Sequence, residues 1–401
     1  MARTLDDLLS NAGWDDLLQY LPPDLDDLCL ETGAIERWRS VRDGAELLRI
    51  CLGFAALGKS LRGVSAWWEE LGGAPISDVG ILKILRRAVG FLEGVLCRLF
   101  ETYVVSPVVE EGAPHVRLLD ATCLSVPGSD GTDYRIHLTW DASTGQMAGL
   151  QITDKHGGEH FGRGYAGARD ILVGDRGNAH ANRVIELTDA GTMFLVRVGH
   201  SAIRMTDAAG EPFDPLAFAT RRRSQPGRPP RVESTVVRIR DNQGRTMEAR
   251  LLLVRKSAGA AEHERRRVRS ESTRKGKTAQ QRTLDAAGFM FLLTSVPAGM
   301  AGDVALADLY RVRWQVELAF KRWKSIAKLG EIRAKDPQLI YVWILGKIIA
   351  VAGAEMVGRR KGAFSPWGAP LRPTLRVAHR QPLPLDASRR HPRRRATVEK
   401  P

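Results

Sequence analysis

Apolar positions recur every three or four residues through ELLRICLGFAALGKSLRGVSAWWEEL and again through SDVGILKILRRAVGFLEGVLCRLF, which predicts amphipathic helices from Glu46 to Phe100. Gly72, Gly73 and Pro75 interrupt the pattern between the two stretches. Ser77 and Asp78 then offer an N-cap for a helix bearing Lys83, Arg86 and Arg87, so helix, short turn and basic helix follow in a helix-turn-helix-like order. At Val116 the period changes to two. VRLLDAT, YRIHLTWDAS and MAGLQITD read as three successive strands, ILVGDRG as another apolar run, AHANRVIELTDAG as a helix and TMFLVRVG as a strand. Three meandering strands followed by alternating strand and helix indicate an α/β fold, a mixed sheet flanked by helices. VESTVVRIRDNQGRTMEARLLLVRK predicts a β-hairpin around Asn242-Gln243-Gly244. FMFLLTSVP returns to the core, and one long helix should run from about Val304 to Leu329. Beyond Phe364 Pro and Arg replace any periodicity, which predicts a largely disordered end.

Composition narrows the class. With 401 residues and 43% hydrophobic content the chain should form two or three domains around a sizeable core. Cys29, Cys51, Cys97 and Cys123 lie far apart with no C-x-x-C pair, which argues against a disulfide framework or a cysteine zinc site and favours a reducing cytosol. The acidic amino terminus has no signal-peptide pattern and no stretch approaches about eighteen uninterrupted apolar residues, so neither secretion nor a membrane is expected. A net charge of +14 and a pI of about 10.0 favour a polyanionic partner, nucleic acid first. That charge is uneven. Residues 1–36 carry nine acidic groups against Arg3, whereas residues 221–282 carry nineteen Lys or Arg against six Asp or Glu. Pro226, Pro229 and Pro230 make RRRSQPGRPPR a loop, so this region reads as a β insertion with basic loops.

Two aspartates draw attention by position. Asp120 closes the strand of VRLLDAT and Asp175 closes that of ILVGDRG. A carboxylate at a strand end can project into a cleft, whereas one inside an apolar strand costs several kcal/mol unless neutralised. Either alone more commonly caps a turn or the next helix. On the predicted long helix, at about 100° per residue, Tyr310, Arg313, Glu317 and Lys324 fall within one stripe of about 60°, bordered by Lys321 and Trp314. A solvated salt-bridge face would explain the charges. The apolar face of Leu309, Val316 and Phe320 beside it, and the aromatic rings among the charges, favour a partly enclosed one. Loop polarity accounts for His156, Glu159 and His160, and Trp67-Trp68 reads as helix packing. GFAALGKS, Gly53 to Ser60, matches a phosphate-loop string but lies within a helical run with no strand before it, so no nucleotide cofactor is expected.

The spacing Tyr310-x2-Arg313-x3-Glu317-x6-Lys324, preceded by LLDAT at Asp120 and GDRG at Asp175, resembles the signature of the insertion-sequence-four family of DDE transposases over about residues 45–350. The resemblance implies an RNase H-like core in residues 111–200 and 286–350, a basic β insertion in 201–285, an all-helical terminal-repeat DNA-binding region in 1–110 and a Pro/Arg-rich tail in 351–401. It implies that Asp120, Asp175 and Glu317 are the catalytic residues and converge on two ions of Mg²⁺ or Mn²⁺, hard cations that suit carboxylate oxygens. Tyr310, Arg313 and Lys324 would hold phosphates of the cleaved strand, with Lys321 and Arg176 as further DNA contacts. The implied partners are double-stranded DNA, as terminal inverted repeats and as target, and a second copy of the chain in a synaptic complex at the nucleoid in the cytoplasm. One departure concerns excision. Relatives that close the transposon end into a hairpin use an insertion-region Trp, and none lies between Trp140 and Trp314, which leaves Phe213 or Phe218 as stacking candidates. A nuclease that hydrolyses without joining, and an inactive or truncated relative that only binds repeats, remain as alternatives.

Overall fold

Side-chain oxygens of Thr4, Ser10, Asp43, Ser60 and Ser77 each accept a backbone N–H in the first turn of a helix, satisfying donors that have no partner within the helix. They start α1 (Leu5–Leu9), α2 (Asn11–Leu18), α4 (Gly44–Ala55), α5 (Leu61–Glu70) and α6 (Asp78–Arg87); α3 (Leu25–Glu31) and α7 (Val89–Thr102) complete the amino-terminal set. The computed structural model describes residues 4–102, 114–223, 231–360 and 396–398. Each of the two apolar stretches is thus two helices. The first divides at Gly58, whose φ of +64° ends α4, and Ser60 caps a new start. The phosphate-loop string therefore spans a helix end and a turn. Trp68 is buried within the helices and Trp67 is packed against them.

The strands are β1 (Val116–Leu124), β2 (Tyr134–Asp141), β3 (Gln146–Asp154), β4 (Ile171–Gly174), β5 (Met193–Val198), β6 (Met205–Thr206), β7 (Val232–Arg240), β8 (Thr246–Arg255), β9 (Phe289–Thr294) and β10 (Ala396–Val398). Among the described residues they form one mixed sheet in the order β10-β3-β2-β1-β4-β5-β9-β8-β7-β6. β1, β2 and β3 form an antiparallel meander, while β4 and β5 run parallel to β1. Side chains alternate between two clusters: Leu118, Val173, Leu195 and Leu252 enter one, Leu119, Leu172, Val196 and Leu251 the other. The second face is covered by α8 (Ala181–Asp189) and α9 (Pro215–Arg223).

Several expectations are corrected. The hairpin β7–β8 exists and lengthens the central sheet through β9. The basic run after it is a helix, α10 (Ala258–Arg274), followed by α11 (Gln281–Ala286). α10 has almost no apolar face. Its stability comes from the Ser257 cap and from Glu262, Glu264 and Glu271 pairing one turn away with Arg265, Arg266, Arg267 and Lys275. The long helix is two, α12 (Asp303–Arg311) and α13 (Trp314–Ile326). Between them Val312, Arg313 and Val316 bond three residues back, to Leu309, Tyr310 and Arg313, which tightens the turn. RRRSQPGRPPR begins inside α9, and its residues 224–230 lie outside the described ones.

The last helix, α14 (Pro337–Arg360), runs ten residues beyond position 350, where the tail was expected to begin; Val351, Ala352 and Val357 are buried. Within it Pro337–Val357 is long and apolar enough to cross a membrane, with mean hydropathy 1.7, yet 89% of its apolar window is buried inside the protein. It packs against α2, α4, α6 and α7, so the amino-terminal helices and the end of the chain share one core. Residues 361–395 of the expected disordered tail lie outside the described ones, and β10 pairs parallel to β3.

Candidate active site

β1 continues past Asp120 to Leu124, so this aspartate lies inside the strand rather than at its end. It shares a face with Leu118, the face on which α13 packs. β4 runs parallel beside it in the register Leu118↔Val173. Carrying that register on by two residues brings Asp175, just past the end of β4, alongside Asp120. Asp175 turns the chain: its Oδ1 accepts the Gly177 N–H at 2.8 Å and the Asn178 side-chain amide at 3.2 Å. Glu317 comes from the first turn of α13. Three carboxylates from three elements are thereby gathered over one end of the parallel strands.

Arg313 holds them. At the tight turn between α12 and α13 its guanidinium pairs with Glu317 and reaches Asp120 Oδ2 at 3.4 Å. It also bonds the buried Tyr310 hydroxyl. Burial pushes the Asp120 carboxyl up to about 6; Arg313 and the Ala121 N–H pull it down, and the charges of Asp175 and Glu317 push it up again. Asp120 therefore senses both other acids. Burial likewise raises the Tyr310 hydroxyl, against the pull of Arg313 and Arg197.

The remaining predicted contacts are more dispersed. Lys321 and Lys324 are exposed, one and two turns beyond Glu317 on α13, on the open side of the site. Arg176, next to Asp175, belongs instead to a basic cluster. Its neighbours there are Arg197 of β5, Lys256 just past β8 and Arg267 of α10; Glu264 pairs with Arg197 and Arg267, and its charge acts on Arg176 and Lys256 as well. Arg86 and Arg87, on the helix-turn-helix-like pair, are bound to Asp336 (2.8 Å) and Glu36 (3.3 Å), whereas Lys83 is exposed. Phe213 and Phe218 meet at a tilt of 46°, with ring centres 5.6 Å apart, and pack on the second core cluster.

Sequence reasoning passed over two groups. Glu159, set aside as loop polarity, stands over the Asp175 turn: a Cβ at Gly177 would lie 2.4 Å from Glu159 Oε2 and 3.2 Å from Asp175 Oδ1. Burial and the charge of Asp175 raise its carboxyl, while Arg135 and Arg313 lower it. No local pattern marks Glu159, because its partner is on another element. Arg197 did carry a signal, as a lone charge within the apolar strand MFLVRV.

The donors fit a hard divalent cation, since all three are carboxylate oxygens and a guanidinium now supplies the positive charge between two of them. Among the described residues no three Asp, Glu, His or Cys side chains are drawn close enough to enclose an ion.

Comparison with known proteins places this arrangement. Residues 111–352 match the family described as transposase DDE domain, a span that begins before β1 and ends within α14. The chain is 35% identical over 349 residues to the InsL protein of insertion sequence element IS186A of Escherichia coli (strain K12), covering 85% of this chain and 92% of that one. It is 35% identical over 350 residues to the transposase of insertion sequence element IS421 of Escherichia coli, with the same coverage, and 23% identical over 376 residues to that of IS231F of Bacillus thuringiensis subsp. israelensis, covering 84% and 78%. The chain belongs to the DDE transposases, within the insertion-sequence-four family, and is a DNA-cleaving and DNA-joining enzyme.

Proposed function

We propose that Asp120, Asp175 and Glu317 are the catalytic carboxylates of this transposase and hold two divalent ions, Mg²⁺ or Mn²⁺, beside the middle of β1 and the end of β4. The observation that carries this reading is geometric: Arg313 bridges Asp120 and Glu317, and the β1–β4 register sets Asp175 beside Asp120. When bound, the ions supply Lewis-acid charge to a phosphodiester. The chain does the rest. Arg313, released from the acids, offers a two-pronged donor to a phosphate of the cut strand, and Tyr310 and Arg176 line the same approach. Lys321 and Lys324 add point charges on the open side of α13. The meander β1–β3 continued by parallel β4 and β5 supports reading the core as RNase H-like. The 3′-OH exposed by cleavage, giving up its proton, then attacks a phosphodiester of target DNA at the same centre, and the 3′ oxygen of the target strand leaves as its P–O bond breaks.

In the same reading, α5 and α6 recognise the terminal inverted repeats. Lys83 is open to solvent, and the partners of Arg86 and Arg87 are surface ion pairs, which DNA phosphates readily displace. Two copies of the chain would bring two ends together.

A duplex with a pre-cut 3′ end, incubated with target DNA and Mg²⁺ or Mn²⁺, tests the proposal. Joined products are expected, and each of Asp120→Ala, Asp175→Ala and Glu317→Ala should abolish them while DNA binding persists. Hydrolysis without joining would make the protein a nuclease. Repeat binding with no chemistry, unaltered by the three substitutions, would make it a repressor.

A further inference from the structure

The basic cluster beside the acids is itself built like an anion site. Arg197 rises from β5, Lys256 follows β8, Arg176 follows Asp175, and Arg267 reaches in from α10, so four cations from four segments converge. The carboxylate among them is Glu264, one turn before Arg267 on α10: Arg267 Nη2 lies 2.7 Å and Arg197 Nη2 3.9 Å from Glu264 Oε1, and its charge reaches Arg176 and Lys256. One carboxylate cannot neutralise four cations. Arg197 Nε is buried with no hydrogen-bond partner, an expensive loss for a charged donor. Crowding by protein and by one another holds the Arg176 and Lys256 groups below their ordinary range. The cluster is also continuous with the acids, since Tyr310 senses both Arg197 and Asp175.

We propose that this cluster is a phosphate site for the DNA strand engaged by the acids, and that Glu264 occupies it in the free protein as an internal stand-in for that phosphate. The inference rests on the active-site reading above and adds to it a site and a competitor. A carboxylate and a phosphate present the same charged oxygens to Arg and Lys, but the phosphodiester of a duplex arrives with neighbours that Lys256 and Arg267 can also meet. DNA displaces Glu264, and α10 then presents its basic side to the strand. The free protein keeps the cluster folded without leaving four cations exposed to one another.

The test is binding of a fluorescein-labelled duplex of arbitrary sequence, titrated across salt concentrations in EDTA so that no strand is cut. Glu264→Gln removes the stand-in's charge without altering helix geometry and should tighten binding about tenfold. Glu248→Gln on β8 changes net charge equally but lies in an exposed pair with Arg238, outside the cluster, and should change affinity less than about twofold. The double variant Lys256→Ala/Arg267→Ala should weaken binding and flatten the dependence of log K on log salt by about 0.9 for each phosphate no longer neutralised. Circular dichroism confirms that each variant is folded. Unchanged or weaker binding by Glu264→Gln, or an equal gain from Glu248→Gln, overturns the proposal. Because the assay contains no metal and reads no product, it fails independently of the cutting and joining reaction.

Discussion

The acid end of β1 and β4 and the basic cluster beneath α10 solve the same electrostatic problem with opposite signs. In the first, Asp120 and Glu317 pair with the guanidinium of Arg313 while Asp175 stands beside Asp120; in the second, Glu264 pairs with Arg197 and Arg267 while Arg176 and Lys256 feel its charge. Neither count balances. A protein selected for stability alone would gain from replacing such like-charged groups, so the surplus in each region points to a ligand of opposite sign. Cations suit the first region and phosphates the second. A DNA strand carrying its metal ions supplies both at once.

The comparison breaks most readily at the acids. Replacing Asp120, Asp175 or Glu317 by Ala should reduce joining of a pre-cut end by about a thousandfold or more while leaving duplex affinity nearly unchanged. Gel analysis of joined products checks it, and appreciable residual joining by any one of the three would remove that residue from the catalytic set.

Smaller, and specific to the neutralising group, is the effect of Arg313→Ala. Without metal Asp120 and Glu317 lose their shared cation, and urea unfolding at pH 7 should show a loss of about 1–3 kcal/mol, discounted for the exposure of Glu317. Mn²⁺ should stabilise this variant more than the parent protein. Equal stability of the two without metal would show that the guanidinium does not hold the acids.

A third effect separates the acids from nearby histidines. Burial first, then neighbouring arginines, hold His137 down to about 3 and His160 down to about 4. The unfolded chain takes up these protons near pH 6.5 while the folded chain does not, so their contribution is intact above that pH and is lost as pH falls through 6.5 towards 4. A slope of up to about 1.4 kcal/mol per pH unit from each is expected, less for the more exposed His160, and His137→Gln should remove the larger share in thermal denaturation across this range. Asp120 works in the opposite sense, its raised carboxyl favouring the fold below about pH 4 and losing that contribution as pH rises through about 6. Asp120→Asn should remove only that part.

The smallest effect belongs to Lys324. As an exposed point charge two turns from Glu317, its replacement by Ala should weaken duplex binding a few-fold and reduce the salt slope by about 0.9. A slope identical to that of the parent protein would take Lys324 off the DNA path.

Local signals carried much of this. The period change at Val116, the hairpin at Asn242-Gln243-Gly244 and the spacing of Tyr310, Arg313 and Glu317 were all legible, because each depends on residues within a few positions of one another. α10 escaped because a helix held by ion pairs leaves no hydrophobic period to read. α14 was not anticipated, and crosses position 350 where the tail was expected to begin, because a helix buried on nearly all its described sides shows no polar face to mark its course. Asp120 was placed at a strand end since a carboxylate within a strand is costly, and the cost is met here by a guanidinium from 193 positions further along the chain.

Residue type and spacing thus settled which groups were available: three acids in order, a Tyr-Arg-Glu turn, and a basic stretch between the second and third acids. Their meeting is a matter of three dimensions. Asp120 and Asp175 are 55 positions apart and become neighbours through the β1–β4 register; Glu317 is a further 142 positions away and joins them because α13 lies on the face of β1 that carries Asp120. Electrostatic energy falls with distance through space and takes no account of separation along the chain, so the field at the site, its resident Arg313 and its counterpart at Glu264 came into being only when the sheet brought these segments together.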